Sequence, residues 1–220
     1  MEYEVQMRKK LDFNYILSNV AQMPNTWRIA LLGKTGAGKS SLANTLFGEN
    51  VFKVKHLPGS EASVCQAKSR SVGGRNLTLI DTPGFFAQGA SEEELEAEIV
   101  RCVTAWPPGP HAFLIVLKLE KFTEQENDVI TQMKRYFSPE ALKYATVVFT
   151  HGDQLSEEMT VEQFVRKNKH LKDLVEKCGG RCHVVDNKYW KNKDTPIVTH
   201  QSGLAPLECA LMHKDFLLNN

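Results

Sequence analysis

The stretch "GKTGAGKSS" begins at Gly33, directly after the apolar run "WRIALL". Two glycines with four residues between them, followed by Lys39 and Ser40, form the complete phosphate-loop pattern, and a predicted strand before it and a predicted helix after it supply the required context. Few folds accommodate that sequence. Gly33, Gly36 and Gly38 allow the backbone N–H groups of Lys34, Thr35, Ala37, Ser40 and Ser41 to curl around a phosphate at the positive end of a helix. Lys39 is expected to reach β/γ-phosphate oxygens, and Ser40 to offer its hydroxyl to Mg²⁺.

Downstream, apolar runs alternate with helical patterns. "RIALL", "NLTLID", "HAFLIVLKL", "ATVVFT" and "RCHVV" read as strands. "KSSLANTLF" reads as a helix ending near Gly48, and "SEEELEAEIVRCVTAW" as a helix opened by a Ser91/Glu94 capping box. Thr123 and Glu126 repeat the box ahead of "DVITQMKRYF". Thr160 and Gln163 repeat it ahead of one long predicted helix over "TVEQFVRKNKHLKDLVEKCGG". Strands and helices in this alternation predict an α/β fold of three layers, a mainly parallel sheet covered by helices on both faces. Residues 1–26 are expected to be an N-terminal extension, 27–192 the nucleotide-binding domain, and 193–220 an irregular tail broken by Pro196, Gly203 and Pro206.

Composition narrows the function classes. Twenty-seven Lys and Arg against 26 Asp and Glu leave a net charge of +1 on 220 residues, which gives no electrostatic reason to expect nucleic acid or an anionic membrane. The longest apolar run, "AFLIVL", is far short of the roughly 20 residues that span a bilayer, so no transmembrane segment is expected. Five cysteines without a CxxC, and no signal peptide, lead to the expectation of reduced thiols and a cytoplasmic location. Cys178, Cys182 and His183 lack the partners of a metal cluster and read as buried or idle side chains.

Two further motifs refine the phosphate site. In "LTLIDTPG", Asp81 ends a strand where its carboxylate can hold Mg²⁺ directly or through water, and Gly84 can present an N–H to a γ-phosphate. In "ATVVFTHGDQL", Thr150, His151 and Asp153 fall on the ligand edge of the sheet. A carboxylate at Asp153 can accept from guanine N1–H and the exocyclic amine together, a donor pair that adenine lacks. Asn187, in "HVVDNK" after the last strand, can frame the same base.

Together "GKTGAGKSS", "IDTPGFF" and the box "RCVTAWPPGPHAFLIVL" resemble the GIMAP-type GTPases, the immunity-associated nucleotide-binding proteins of the septin-like branch of P-loop GTPases. The resemblance runs from Trp27 to Asn192. It implies GTP/GDP binding with Mg²⁺, slow hydrolysis, and nucleotide-dependent homodimers or hetero-oligomers with related GTPases across the nucleotide face. Arg101, in "EIVRCV", becomes the candidate for an arginine supplied to a partner's γ-phosphate, with an ordinary ion pair to Glu94 or Glu98 as the alternative. Three positions depart from the expected pattern. Ala62 stands where the family has a Mg²⁺-closing Thr, with Ser60 and Ser63 out of register. Phe85 and Phe86 stand where Ras-like enzymes carry the water-orienting Gln, and the tail lacks a charged helix. The missing Thr keeps open a second reading, a nucleotide-gated assembly scaffold with negligible hydrolysis. A small-acceptor P-loop kinase is disfavoured by the arginine-poor segments after "VVFT".

Overall fold

The computed structural model of the chain describes residues 26–54, 65–72, 75–85, 91–105, 109–120, 127–132, 139–156 and 159–185. Its strands are β1 (Thr26–Leu32), β2 (Gln66–Val72), β3 (Arg75–Asp81), β4 (Ala112–Lys118), β5 (Ala145–Thr150) and β6 (Cys182–Val185). Its helices are α1 (Lys39–Phe47), α2 (Glu92–Thr104), α3 (described over 127–132), α4 (Pro139–Leu142), α5 (Val161–Arg166) and α6 (Lys169–Lys177). The six strands form one sheet in the order β2-β3-β1-β4-β5-β6, parallel throughout except for the antiparallel β2–β3 pair.

Apolar runs become central strands because both of their faces are covered. In β1, Ala30 and Leu32 join one core cluster, which includes Ile99, Cys102 and Val103 of α2 and Leu171, Leu174 and Val175 of α6. Ile29 and Leu31 point the other way, into a cluster with Leu42, Ala43 and Leu46 of α1. The two-residue period of the strand thus feeds two separate cores. This is the three-layer α/β arrangement expected from the sequence, a mainly parallel sheet covered by helices on both faces.

The five expected strands are all present, and β2 is an addition to them. Its sequence "QAKSRSV" is mostly exposed and shows no apolar alternation. Pairing with β3 from Gln66–Asp81 to Val72–Arg75 is what makes it a strand. As an edge strand it carries Lys68 and Arg70, charges that discourage further pairing. Arg70 makes an ion pair with Glu49.

Local helix signals hold where they are described. Ser91 and Glu94 form the reciprocal capping box of α2, and Gly48 closes α1 with a left-handed φ of 69°. The long helix expected after Thr160 is instead two. The Thr160/Gln163 box starts α5, but Asn168 then adopts an extended conformation and its side chain accepts from the N–H groups of His170 and Leu171, capping α6 anew. The Thr123/Glu126 box, residues 1–25, Asn187 and the tail after 185 lie outside the described residues.

The expectation that the cysteines are reduced is corrected. Cys65 and Cys102 form a disulfide, with Cα atoms 5.6 Å apart across a sequence separation of 37. The fold carries the chain from β2 through β3 and back along α2, bringing together two positions whose spacing holds no local signal. Cys178 and Cys182 are not disulfide-bonded, and burial pushes the Cys178 thiol up to about 12. No helix among the described residues is long and apolar enough to cross a membrane.

The end of the sheet where β1 and β4 begin is held by a buried Arg–His pair. The Arg28 N–H donates to His111 Nδ1 at 2.8 Å, and the His111 N–H donates to the Arg28 carbonyl at 2.7 Å. The guanidinium Nε donates to the Gly109 carbonyl at 2.7 Å, and the Trp27 ring meets His111 edge-on. Burial first, and then the adjacent guanidinium, lower the His111 pKa from 6.5 to about 4. Because the folded value lies below the unfolded one, the unfolded chain takes up the proton first. The stability contributed by neutral His111 is therefore complete above pH 6.5 and is lost as the pH falls towards 4. The expected loss is about 2–3 kcal/mol over that window. Urea unfolding across it should show His111→Asn losing less stability than the natural chain, since the amide oxygen can accept from Arg28 and does not titrate. Parallel losses in the two would contradict the assignment.

Candidate functional site

The site lies on the edge where the parallel strands end, between β1, β3 and β5. There the phosphate loop leaves β1 at Gly33, a position that admits only glycine. Its φ is 156°, and a Cβ would sit 2.3 Å from the Val116 carbonyl oxygen of β4. Gly36 and Gly38 also have left-handed φ, 81° and 89°, and Gly38 is the N-cap of α1. The loop holds itself through the Ala37 N–H donating to the Lys34 carbonyl at 3.2 Å.

Lys39 is buried, and its Nζ donates to the carbonyls of Gly33 (3.1 Å) and Lys34 (3.2 Å). Burial lowers its pKa, opposed by the charge of Asp81. Asp81 is raised by burial, opposed by Lys39 and by the Ser40 hydroxyl, which donates to Oδ2 at 2.5 Å. The other carboxylate oxygen, Oδ1, is buried and has no hydrogen-bond partner. A buried carboxylate with one unused oxygen beside a serine hydroxyl is a hard-oxygen pair suited to a divalent cation. The residues present therefore fit Mg²⁺.

The DTPG loop is stitched to the phosphate loop. Phe85 N–H donates to the Gly33 carbonyl and Thr35 N–H to the Phe85 carbonyl, each at 3.1 Å. Gly84 lies so close to Thr35 that a Cβ would fall 2.4 Å from Oγ1. Thr82, buried, donates to the Leu31 carbonyl at 2.6 Å. Phe85 itself is in the core at 1% exposure. The side chain at the position of the water-orienting Gln thus belongs to the same core cluster as Leu32, Ile80 and Ile99.

On the base side, Thr150 is fully buried and its hydroxyl donates to the Ala37 carbonyl at 2.8 Å. Its side chain is thus committed to the phosphate loop. His151 follows with φ 61°, the only non-glycine left-handed residue among those described, and it is exposed. Such strain concentrates at functional sites. Asp153 is exposed in the single 3₁₀ turn Gly152–Gln154. Ser41 lies in the first turn of α1, where its carbonyl accepts from Thr45 Oγ1 at 3.0 Å. Arg101 stands apart from these groups in the sequence of elements, on α2. Its side chain is 75% exposed and its Nη2 lies 3.2 Å from Glu98.

The phosphate loop is also held by a charge cluster at the end of β4. Lys34 Nζ meets Glu120 Oε1 at 3.1 Å, and Lys118 meets Glu120 Oε2 at 2.9 Å. Burial raises the Glu120 pKa, but the two lysines outweigh it and hold the carboxylate below its usual range. The Lys34 side chain is thus committed to the end of β4, leaving its backbone to the loop. The charges of "KLEK" at a strand end were the available clue.

Residues 27–201 match the AIG1 family. The chain belongs to the AIG1 family. Among its relatives, this AIG1 chain is 34% identical over 170 residues to GTPase IMAP family member 8 of Homo sapiens, covering 77% of this chain and 25% of that protein. It is 35% identical over 165 residues to immune-associated nucleotide-binding protein 7 of Arabidopsis thaliana, covering 73% of this chain and 53% of the relative. The chain thus spans about a quarter to a half of the length of these relatives. Its fold matches Toc33 from Arabidopsis thaliana, solved in complex with GDP and Mg²⁺, with a TM-score of 0.66 and 21% identity over 94% of this chain and 91% of Toc33.

Proposed function

We propose that residues 27–192 form a guanine-nucleotide switch that binds GTP and GDP with Mg²⁺, hydrolyses GTP slowly and dimerises through its nucleotide face. The observation that carries this reading is the trio at one end of the phosphate loop: buried Lys39 on two loop carbonyls, half-buried Ser40 on Asp81, and buried Asp81 Oδ1 without a partner. Names among the relatives support it, as do Toc33 structures with GDP or GMPPNP and Mg²⁺ and a dimerisation-deficient Toc33 mutant.

The roles follow from the geometry. Lys39 would exchange its two carbonyl partners for phosphate oxygens, charge-assisted bonds that are stronger than those it gives up. Ser40 and Asp81 would hold Mg²⁺, which neutralises charge on the phosphate oxygens when bound. The backbone of Gly84, pinned against Thr35, is the part of the DTPG loop that a γ-phosphate would meet first. Asp153 would accept from the guanine edge, with His151 beside it and Asn187 contributing from the segment after β6.

Asp153→Asn tests the base assignment. The amide places an N–H where the carboxylate accepted one, so GTP should bind at least tenfold more weakly and xanthosine triphosphate more tightly. Unchanged GTP affinity in a fluorescence titration would remove Asp153 from the site.

A second reading, the scaffold with negligible hydrolysis, is favoured by two observations. Phe85 is buried, and Arg101 is already ion-paired with Glu98. Turnover measured per molecule over a hundredfold range of protein concentration separates the readings. A rate that rises with concentration, and a flat rate in Arg101→Ala at unchanged GTP affinity, is the outcome expected for an arginine supplied in trans. A low, concentration-independent rate equal in the two proteins would leave the scaffold.

A further inference from the structure

The disulfide is the one covalent link between distant elements among the described residues, and its location gives it a use. Cys65 stands at the entrance to β2, half-buried on the exposed edge of the sheet. Cys102 lies on the inner face of α2, 2% exposed, with Leu95, Ile99 and Val103. The loop closed by the bond contains β2, β3, Asp81, Gly84 and nearly all of α2. The DTPG loop ends at Phe85, which is joined to Gly33 through the backbone, and α2 farther along the chain is tied by sulfur to the entrance of β2.

Apolar packing is the other attachment of α2 to the sheet through these inner-face residues, and apolar packing is non-directional. A helix held that way can slide or rotate by small amounts, whereas a cystine fixes one point on it. That point is adjacent in sequence to Arg101. Cys178 makes a contrast, being fully buried with its thiol raised, and so poorly reactive.

We propose that Cys65 and Cys102 form a reversible thiol–disulfide switch that clamps α2 to β2 when oxidised and releases it when reduced. The clamp's consequence for nucleotide response rests on the phosphate-loop reading above; the clamp itself does not. The reacting couple is of the glutathione class. The accessible Cys65 thiolate attacks glutathione disulfide, forming a mixed disulfide and expelling one glutathione thiolate. Cys102, deprotonated, then attacks the Cys65 sulfur and expels the second. Two cysteine thiols are oxidised, one external disulfide is reduced, and the two protons pass to the two glutathione thiolates. A small dithiol reverses the sequence.

The test uses the full chain equilibrated in glutathione buffers of graded poise, with thiol alkylation and peptide mapping. Hydrogen exchange of the α2 amides is followed in the same samples. The expected result is a reversible Cys65–Cys102 cross-link and at least fivefold faster α2 exchange in the reduced protein. Cys65→Ser, a change at a half-buried position, should exchange like the reduced chain under every buffer, with an unchanged circular dichroism spectrum. The proposal is overturned if the pair stays dithiol in the oxidising buffers. It is equally overturned if α2 exchange is the same in the oxidised, reduced and Cys65→Ser proteins. Fluorescent GDP is added in a separate arm. Failure to bind it in either redox state would sink the phosphate-loop reading and leave the exchange result to decide the switch.

Discussion

Lys39 and Asp81 are opposite charges buried at the edge of one sheet, and the architecture around them is arranged to tolerate both. Neither is a usual occupant of a protein interior, because removing a charge from water is costly unless it is paired and hydrogen-bonded. Here the ammonium rests on two carbonyls of its own loop and the carboxylate takes a serine hydroxyl. Their mutual attraction offsets part of the remaining cost. One carboxylate oxygen is left over. A site that is only partly satisfied by its own chain is suited to a ligand that brings both negative and positive charge, as a magnesium nucleotide does.

Keeping those two groups in place requires a rigid edge, and several contacts provide it. Gly33 lets β1 turn against the Val116 carbonyl, Thr150 at the end of β5 fixes Ala37, and Thr82 fixes the DTPG loop to β1. The Lys34–Glu120–Lys118 cluster anchors the loop's second residue to the end of β4. On α2, Arg101 and the disulfide-bonded Cys102 are successive residues.

Legibility in the sequence followed the range of the interactions. The phosphate loop, α1 and the Ser91 and Thr160 boxes were readable because their signals lie within a few residues of where they act. The central strands were readable because burial on two faces demands unbroken apolar runs. Strand β2 was not, since a polar edge strand owes its existence to its partner, β3. The break between α5 and α6 turned on one side chain, Asn168, inside a pattern whose apolar spacing suits a continuous helix. The disulfide and the Lys34–Glu120 pair join residues 37 and 86 apart, a distance over which spacing carries no information. Thr150 was recognised as part of the site, but its role beneath the loop became visible only with its hydroxyl's partner.

The Lys39, Ser40 and Asp81 edge is proposed to hold nucleotide phosphates together with Mg²⁺. Its most direct test is calorimetric titration of a non-hydrolysable GTP analogue into the full chain, with magnesium present and with magnesium chelated. The account predicts one site per chain and an affinity at least tenfold higher with magnesium. Absence of binding, or the same affinity in both buffers, would contradict it.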